Sequence, residues 1–260
     1  GIENLYLYKD EGEMLTAFLD IIQDADVISG WNSEGYDIPY VVNRIQKILS
    51  KDDTRKLCLW KQLPKKRVFE RFGREQETYD LVGRVHLDSL ELYRKYTYEE
   101  RHSYRLDAIG EHELGEKKTV YEGSLDQLYN QDFRTFVEYN RQDVNLIDKL
   151  DRKLKFIALT NELAHANTVL LQTTLGAVAV TEQAIINEAH RRGVQVPNRP
   201  KRDSDSTTAA GAYVAFPKKG LHDWIGSMDI NSLYPSVIRA LNMAPECVMG
   251  QLRPSHTDEY

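Results

Sequence analysis

The sequence predicts a mixed α/β fold with α+β character, and three observations support this prediction. Apolar residues recur at helical spacing over residues 13–25, and the short apolar strand 27–29 follows at once. A long helical pattern covers residues 133–167. The apolar stretch 224–230 has the length of a buried strand, and the pattern after it predicts a helix over residues 232–241.

The composition is that of a globular protein with local, not global, basic character. The 260 residues are 41% hydrophobic and 28% charged, and the formal net charge is −6. A simple nucleic-acid binder concentrates Lys and Arg, and here they concentrate in residues 51–74, with nine basic residues against three acids. That stretch suits either a ribbon along a DNA backbone or a solvated basic surface.

The remaining composition excludes several classes of protein. Cys58 and Cys247 are far apart in sequence, which fits a reducing compartment and argues against a disulfide scaffold. The seven histidines are scattered without metal-ligand spacing, so we expect no zinc site. Neither a membrane-spanning apolar run nor a signal pattern occurs, so we expect no membrane partner.

Asp37 stands where a strand gives way to a helix. Gly30 ends the predicted strand, and Pro39 lies near the first turn of a helix whose apolar stripe is formed by Ile38, Val41, Val42, Ile45, Ile48 and Leu49. Asp37 therefore lies at a helix N-terminus beside a strand end. Taken alone, such a residue is more often an ordinary cap.

Tyr139 and Asp143 are four residues apart within the long helical pattern, so they share one helix face. A phenol and a carboxylate presented together can orient a water molecule and bind the metal that activates it. The plain alternative is a surface Tyr-Asp pair.

Asp229 ends the predicted strand 224–230. A rigid strand leaves such a carboxylate open to a divalent cation, and the backbone that follows can supply a carbonyl to the cation and amides to a phosphate. The ring of Tyr234 offers a flat surface to a sugar. The alternative is that Asp229 caps the next helix and Tyr234 fills a core.

The octet from Asp229 to Ser236 resembles motif A of family B DNA polymerases, Asp-x-x-Ser-Leu-Tyr-Pro-Ser, and its continuation is similar to the T4-like bacteriophage type. The resemblance implies that Asp229 binds both catalytic metals and that the Ile230 carbonyl adds a ligand. It also implies that Ser232 and Leu233 contact the triphosphate tail and that Tyr234 excludes a ribose 2′-hydroxyl.

Two further strings resemble exonuclease motifs of the same family. Asn32, Tyr36 and Asp37 match the second motif, and Tyr139 and Asp143 match the third, Tyr-x-x-x-Asp. The resemblance implies that Asp37 and Asp143 are metal ligands and that Tyr139 holds the attacking water.

Other family features are absent or altered. The first exonuclease motif, Asp-x-Glu, occurs nowhere, and polymerase motifs B and C do not follow before Tyr260, so we expect a fragment. Lys118 falls where the family places an exonuclease lysine, although it also reads as a solvated side chain. Ala209-Ala210-Gly211-Ala212 stands in place of a Tyr-x-Gly-(Gly/Ala) motif, so the family's aromatic residue is missing.

The resemblance implies a domain organisation. Residues 1–156 would be an RNase H-like 3′→5′ exonuclease domain lacking its first strands, residues 157–206 a helical connector, and residues 207–260 the start of the polymerase palm.

The resemblance also implies the chemistry and the partners. The whole enzyme would use Mg²⁺, for which Mn²⁺ can substitute, act on DNA primer-template and dNTP in the cytoplasm of an infected bacterium, and associate with its remaining segments or a sliding clamp. We expect the fragment itself to be inactive in polymerisation. The alternatives are a stand-alone RNase H-like nuclease and a non-catalytic DNA-binding piece of a split polymerase.

Overall fold

The structure, a computed structural model, describes residues 5–71, 74–116, 123–198 and 211–250. The chain divides into two compact units, Gly1–Arg199 and Pro200–Tyr260, which are described separately below. The predicted mixture of helices and strands is confirmed.

The first unit begins with a helix and a short strand. Helix α1 (Glu11–Ile21) starts where a carboxylate oxygen of Asp10 accepts the amide of Glu13 at 2.9 Å. Strand β1 (Val27–Gly30) follows, within one residue of the prediction.

Helix α2 (Asp37–Ile48) starts at the acid that the sequence placed at a helix N-terminus. Its apolar stripe faces the first hydrophobic core, and the 3-10 turn Asp52–Leu57 adds Leu57 to that core. The buried members of this core are Leu15, Leu19, Ile38, Val42, Ile45, Leu57, Cys58 and Leu81. Burial of this stripe is what orients the start of α2.

Four strands form two small sheets in the described part of the chain. Strands β2 (Lys65–Arg71) and β3 (Arg74–Asp80) pair antiparallel as a hairpin. Strand β4 (Val85–Asp88) pairs parallel with β1, and Gly30 lies opposite Asp88. The carboxyl ends of β1 and β4 therefore meet at one edge.

Helices α3 (Ser89–Tyr96), α4 (Leu106–Leu114) and α6 (Phe133–Leu154) supply a second core, whose residues are Tyr93, Leu106, Ile109, Leu146 and Leu150. Helix α5 (Leu125–Gln131) precedes α6 and packs against it. The sequence predicts that the helix which becomes α4 is capped by Ser103 and stops at Gly115. The stop is confirmed, since Gly115 is left-handed at φ 71°. The cap is wrong: the helix begins after Arg105, and the Ser103 hydroxyl accepts only the Arg105 amide, at 3.4 Å.

The long helix predicted over residues 133–167 is two helices. Helix α6 ends at Leu154, and α7 (Phe156–Asn167) begins after Lys155, whose φ of 56° is left-handed and redirects the chain. A 3-10 turn (Leu171–Leu175) and helix α8 (Ala177–Arg191) complete the described part of this unit.

In the second unit the described residues 211–250 contain helix α9 (Leu233–Ala240) and the 3-10 turn Pro245–Cys247. The helix confirms the prediction for residues 232–241. The sequence also predicts that residues 211–214 open a sheet. This prediction and the predicted strand 224–230 are wrong, because neither stretch pairs with a strand among the described residues. A strand forms only where a neighbour accepts its backbone hydrogen bonds, and Trp224 also breaks the extended path with a φ of 60°.

Among the described residues, we find no helix that combines the length and the apolar character required to cross a bilayer. The two cysteines are both free thiols, with Cys58 buried and Cys247 exposed.

Candidate functional site

An open cavity of about 760 Å³ in the first unit is lined by both Asp37 and Asp143. One acid comes from the start of α2, and the other comes from the middle of α6. The floor is mostly apolar, with Phe18, Ile22, Ile28, Val41, Leu57, Leu81, Val144 and Ile147 among the lining residues. The fold thus brings together two acids that are far apart in sequence.

Asp37 is the first residue of α2, and it stands where the chain turns into the helix. The preceding residue, Tyr36, provides no side-chain cap, and the carbonyl of Ser33 accepts the amide of Ile38 at 2.9 Å instead. Desolvation raises the pKa of Asp37 above its ordinary value, while its own backbone amide and His86 lower it. The positive end of the helix dipole favours an anion here.

Asp143 is half-buried on α6, and packing of this helix determines where it points. Leu146 and Leu150 lie 0% and 4% exposed in the second core, one and two turns further along the helix. Tyr139 lies one turn before Asp143 and is half-buried, but it is not among the residues that line the cavity. Two of the three predicted exonuclease residues therefore face the same space.

The turn that leads into Asp37 is folded against the end of β4. The carboxylate of Asp88 accepts the amide of Asn32 at 2.9 Å through Oδ1 and the amide of Glu34 at 3.0 Å through Oδ2. The Ser33 hydroxyl lies 2.9 Å from Nε2 of His86. A Cβ on Gly30 would lie 2.9 Å from the Cβ of Ser33, so glycine allows this close return of the chain.

Burial shifts the pKa of the two β4 side chains in this contact, Asp88 and His86. Desolvation raises the pKa of Asp88, although three backbone amides and His86 lower it. Desolvation also lowers the pKa of His86, against the nearby carboxylates of Asp88 and Glu34. The backbone around Asp37 is thus anchored to a largely buried acid and a largely buried imidazole.

The cavity offers the type of ligand that a hard cation prefers, but too few such ligands gather in one place. Carboxylate oxygens are the ligands that Mg²⁺ and similar ions prefer. In the part of the chain that the structure describes, no three His, Cys, Asp or Glu side chains gather closely enough to hold a metal ion. Asp148 and Asp151 also line the cavity, but Asp148 pairs with Arg152 at 2.9 Å and Asp151 accepts the Ile157 amide at 3.2 Å.

The basic stretch 51–74 contributes much of the β2–β3 hairpin, and part of its charge is neutralised within the fold. Lys66 pairs with Glu77 at 2.7 Å, and Arg67 contacts the carboxylates of Glu34 and Asp80. Both earlier interpretations, a DNA-facing ribbon and a solvated basic surface, remain compatible with this geometry.

The second unit contains the residues predicted for nucleotide addition. Asp229 is exposed, and Ser232 stands immediately before α9 in a left-handed conformation at φ 50°. Ile230, Leu233 and Tyr234 are 64%, 47% and 69% exposed. These side chains lie next to one another along the irregular segment before α9 and its first turn, without a cation site among the described residues.

Sequence reasoning missed that Asp88 and His86 hold the turn before Asp37, to which Ser33 belongs. A usable signal was present, because Asp88 follows an apolar strand and precedes a helix, as Asp37 does. Lys118 and the pair Ala209-Ala210 lie outside the described residues.

Two family models match the chain. The model for the DNA polymerase family B exonuclease domain matches residues 1–109, and the model for DNA polymerase family B matches residues 168–259. Together the two matches cover well over half of the chain.

Curated relatives match almost the whole chain. It is 29% identical to the DNA-directed DNA polymerase of Escherichia phage RB69 and 27% identical to that of Enterobacteria phage T4, each over 97% of this chain and 28% of the relative. It is 31% identical to the DNA polymerase delta catalytic subunit of Bos taurus, over 95% of this chain and 23% of the relative. The chain therefore spans less than a third of the length of these relatives.

Proposed function

Because this chain belongs to DNA polymerase family B, we propose that it is part of a replicative DNA-directed DNA polymerase whose 3′→5′ exonuclease site includes Asp37 and Asp143. The observation that supports this proposal is the cavity that both carboxylates line. The proposal extends to an RNase H-like exonuclease domain over residues 1–156, a connector over 157–206 and the start of the palm over 207–260.

In this proposal the three predicted exonuclease residues would divide the work of hydrolysis. Asp37 and Asp143 would hold part of a divalent-cation site, with Mg²⁺ or Mn²⁺ as the metal, and the family's Asp-x-Glu motif would supply the other carboxylates. A bound cation supplies activation of water and stabilisation of the leaving oxygen. Tyr139, one helical turn from Asp143, would orient the attacking water through its phenol.

The second unit would serve nucleotide addition. Asp229 would bind the metals of the polymerase site, the carbonyl of Ile230 would add a ligand, and Ser232 and Leu233 would contact the triphosphate of dNTP. The exposed ring of Tyr234 would lie against the sugar and exclude the 2′-hydroxyl of a ribonucleotide.

One observation also favours the split-polymerase alternative over a stand-alone nuclease. Two carboxylates cannot by themselves clamp two cations about 3.5–4 Å apart. The cavity that they line is open and largely apolar, as expected of a space that further polypeptide fills. We therefore expect activity on DNA only with the remaining polymerase segments, including those that would bind a sliding clamp. The whole enzyme would act in the bacterial cytoplasm.

The test is hydrolysis of a 3′-labelled single-stranded oligonucleotide in Mg²⁺. We expect the polymerase that contains this segment to lose about 100-fold or more of its exonuclease rate in D37N and in D143N, since direct ligands should cost at least as much as outer-shell partners. We expect Y139F to lose less of the exonuclease rate than D37N or D143N. The phenol would orient the water without binding the metal, and the low end for a positioned general acid or base is roughly 100-fold.

The matched control is D148N, which removes the same charge from the same helix at a residue already paired with Arg152. Its rate should stay close to that of the wild type. Equal losses in D143N and D148N would show that only the negative charge of the cavity matters and would refute the assignment of Asp143. Hydrolysis by the isolated chain would favour the stand-alone nuclease.

A further inference from the structure

We propose that Asp88 is a positioning residue for Asp37, because its buried carboxylate holds the turn that presents the catalytic acid. This inference rests on the proposed exonuclease function for its consequences, but its structural part can be tested independently.

Three backbone amides converge on the Asp88 carboxylate. Oδ1 accepts the amides of Asn32 and Leu90, each at 2.9 Å, and Oδ2 accepts the amide of Glu34 at 3.0 Å. The residue is 3% exposed. Capping of α3 requires only the bond from Leu90, so the other two bonds connect this helix start to a distant turn.

That turn is continuous with the start of α2. The carbonyl of Asn32 accepts the Tyr36 amide at 3.1 Å, and the carbonyl of Ser33 accepts the Ile38 amide at 2.9 Å. The Ser33–Glu34 peptide unit therefore donates its amide to Asp88 and accepts, through its carbonyl, the amide of Ile38, which directly follows Asp37. Asn32 donates its own amide to Asp88 and accepts, through its own carbonyl, the amide of Tyr36, which directly precedes Asp37. A shift of the turn moves Asp37 with it.

Two other contacts hold the same turn from different sides. Ser33 meets His86 through its hydroxyl, and the Thr78 hydroxyl donates to the carbonyl of Glu34 at 2.8 Å. Asn32 adopts a left-handed conformation at φ 60°, which asparagine tolerates better than most residues that carry a side chain. The hydrogen bonds to Asp88, His86 and Thr78 hold the turn in this conformation.

The carboxylate is specifically required by this arrangement. Asparagine has the same shape, but it offers one oxygen and one NH₂ group. In D88N at least one of the three amides must therefore face a donor instead of an acceptor.

The matched control is D10N. Asp10 also caps a helix by accepting an amide, that of Glu13, but it contacts no part of this turn.

The first measurement is amide hydrogen exchange in the chain itself. In the wild type we expect the amides of Asn32 and Glu34 to exchange at least about 10-fold more slowly than that of the fully exposed loop residue Tyr98. In D88N we expect the amides of residues 32–38 to exchange about 10-fold or more faster than in D10N, after correction for global stability. The proposal would be overturned if the wild-type amides of Asn32 and Glu34 were unprotected, or if the two variants exchanged equally. The wild-type measurement remains decisive even if D88N does not fold.

The second measurement is exonuclease kinetics in the polymerase that contains this segment. We expect D88N to lower kcat about 10-fold or more, with KM changed less than about twofold, and D10N to change neither. Accelerated exchange with an unchanged kcat would reject the positioning role. If the wild type hydrolyses no DNA, the proposed function fails, while the exchange data still decide whether Asp88 holds the turn.

Discussion

The two units of this chain present their candidate acids in opposite ways. In the first unit, Asp37 and Asp143 lie on helices whose other faces are buried in two hydrophobic cores. In the second unit, none of the described residues 211–250 is buried, and Asp229 stands on an exposed segment before a short helix.

The comparison shows that a clear sequence motif and a self-sufficient structure are different properties. The octet at Asp229 is the most specific pattern in the sequence, whereas the exonuclease matches depend on fewer residues. Yet Asp37 and Asp143, which belong to the shorter motifs, stand on helices that have a core to pack on. Rigid packing is what fixes the geometry of a reacting group.

The largest expected effect is a separation of the two activities in the polymerase that contains this segment. We expect D229N to abolish measurable primer extension and to leave the exonuclease rate unchanged, because phosphoryl transfer depends on its metal ligands. We expect D143N to have the reverse effect. Rates of extension and of 3′-end hydrolysis on the same primer-template decide this, and a loss of both activities in either variant would contradict the division.

The second test compares packing in the two units. Leu146 is 0% exposed, so L146A should reduce the free energy of unfolding by about 2–5 kcal/mol. L241A removes the same atoms from a residue that is 67% exposed, and we expect a change within about 0.5 kcal/mol. Chemical denaturation measures both, and a comparable loss in L241A would mean that the second unit has a core of its own.

The smallest expected effect is a dependence of the first unit on pH. Burial lowers the pKa of His86 below its ordinary value of 6.5, so the unfolded chain binds more protons between the lowered value and 6.5. Stability should therefore fall as the pH drops below 6.5, by at most about 1.4 kcal/mol per pH unit for one group. The raised pKa of Asp88 has the opposite effect on stability in a more acidic range. Just above pH 3.8 the folded state binds more protons than the unfolded chain, so this group makes stability rise as the pH falls.

The measurement is thermal unfolding from about pH 7.5 to about pH 5.5. We expect the slope to decrease in H86Q and to persist in H102Q, which replaces an exposed histidine. A slope that is the same in the wild type and H86Q would assign the pH dependence to other groups.

Local patterns predicted local features well. The start of α2 at Asp37, the end of α4 at Gly115 and the helix after Ser232 all follow from residue types within one turn of the boundary. Predictions that needed distant partners failed, as for the strand over residues 224–230, which lacks a neighbouring strand among the described residues. The break at Lys155 was also missed, because no glycine or proline marks it.

By itself the sequence determined the family, which acids are candidates for the site, and the placement of Asp37 at a helix start and of Asp143 within a helix, because these depend on motifs and short-range periodicity. Only the tertiary structure decided that Asp37 and Asp143 line one cavity and that Asp88 accepts the amides of the turn before Asp37. Such contacts join segments that are distant in sequence, and they depend on how two cores pack, which no local pattern encodes.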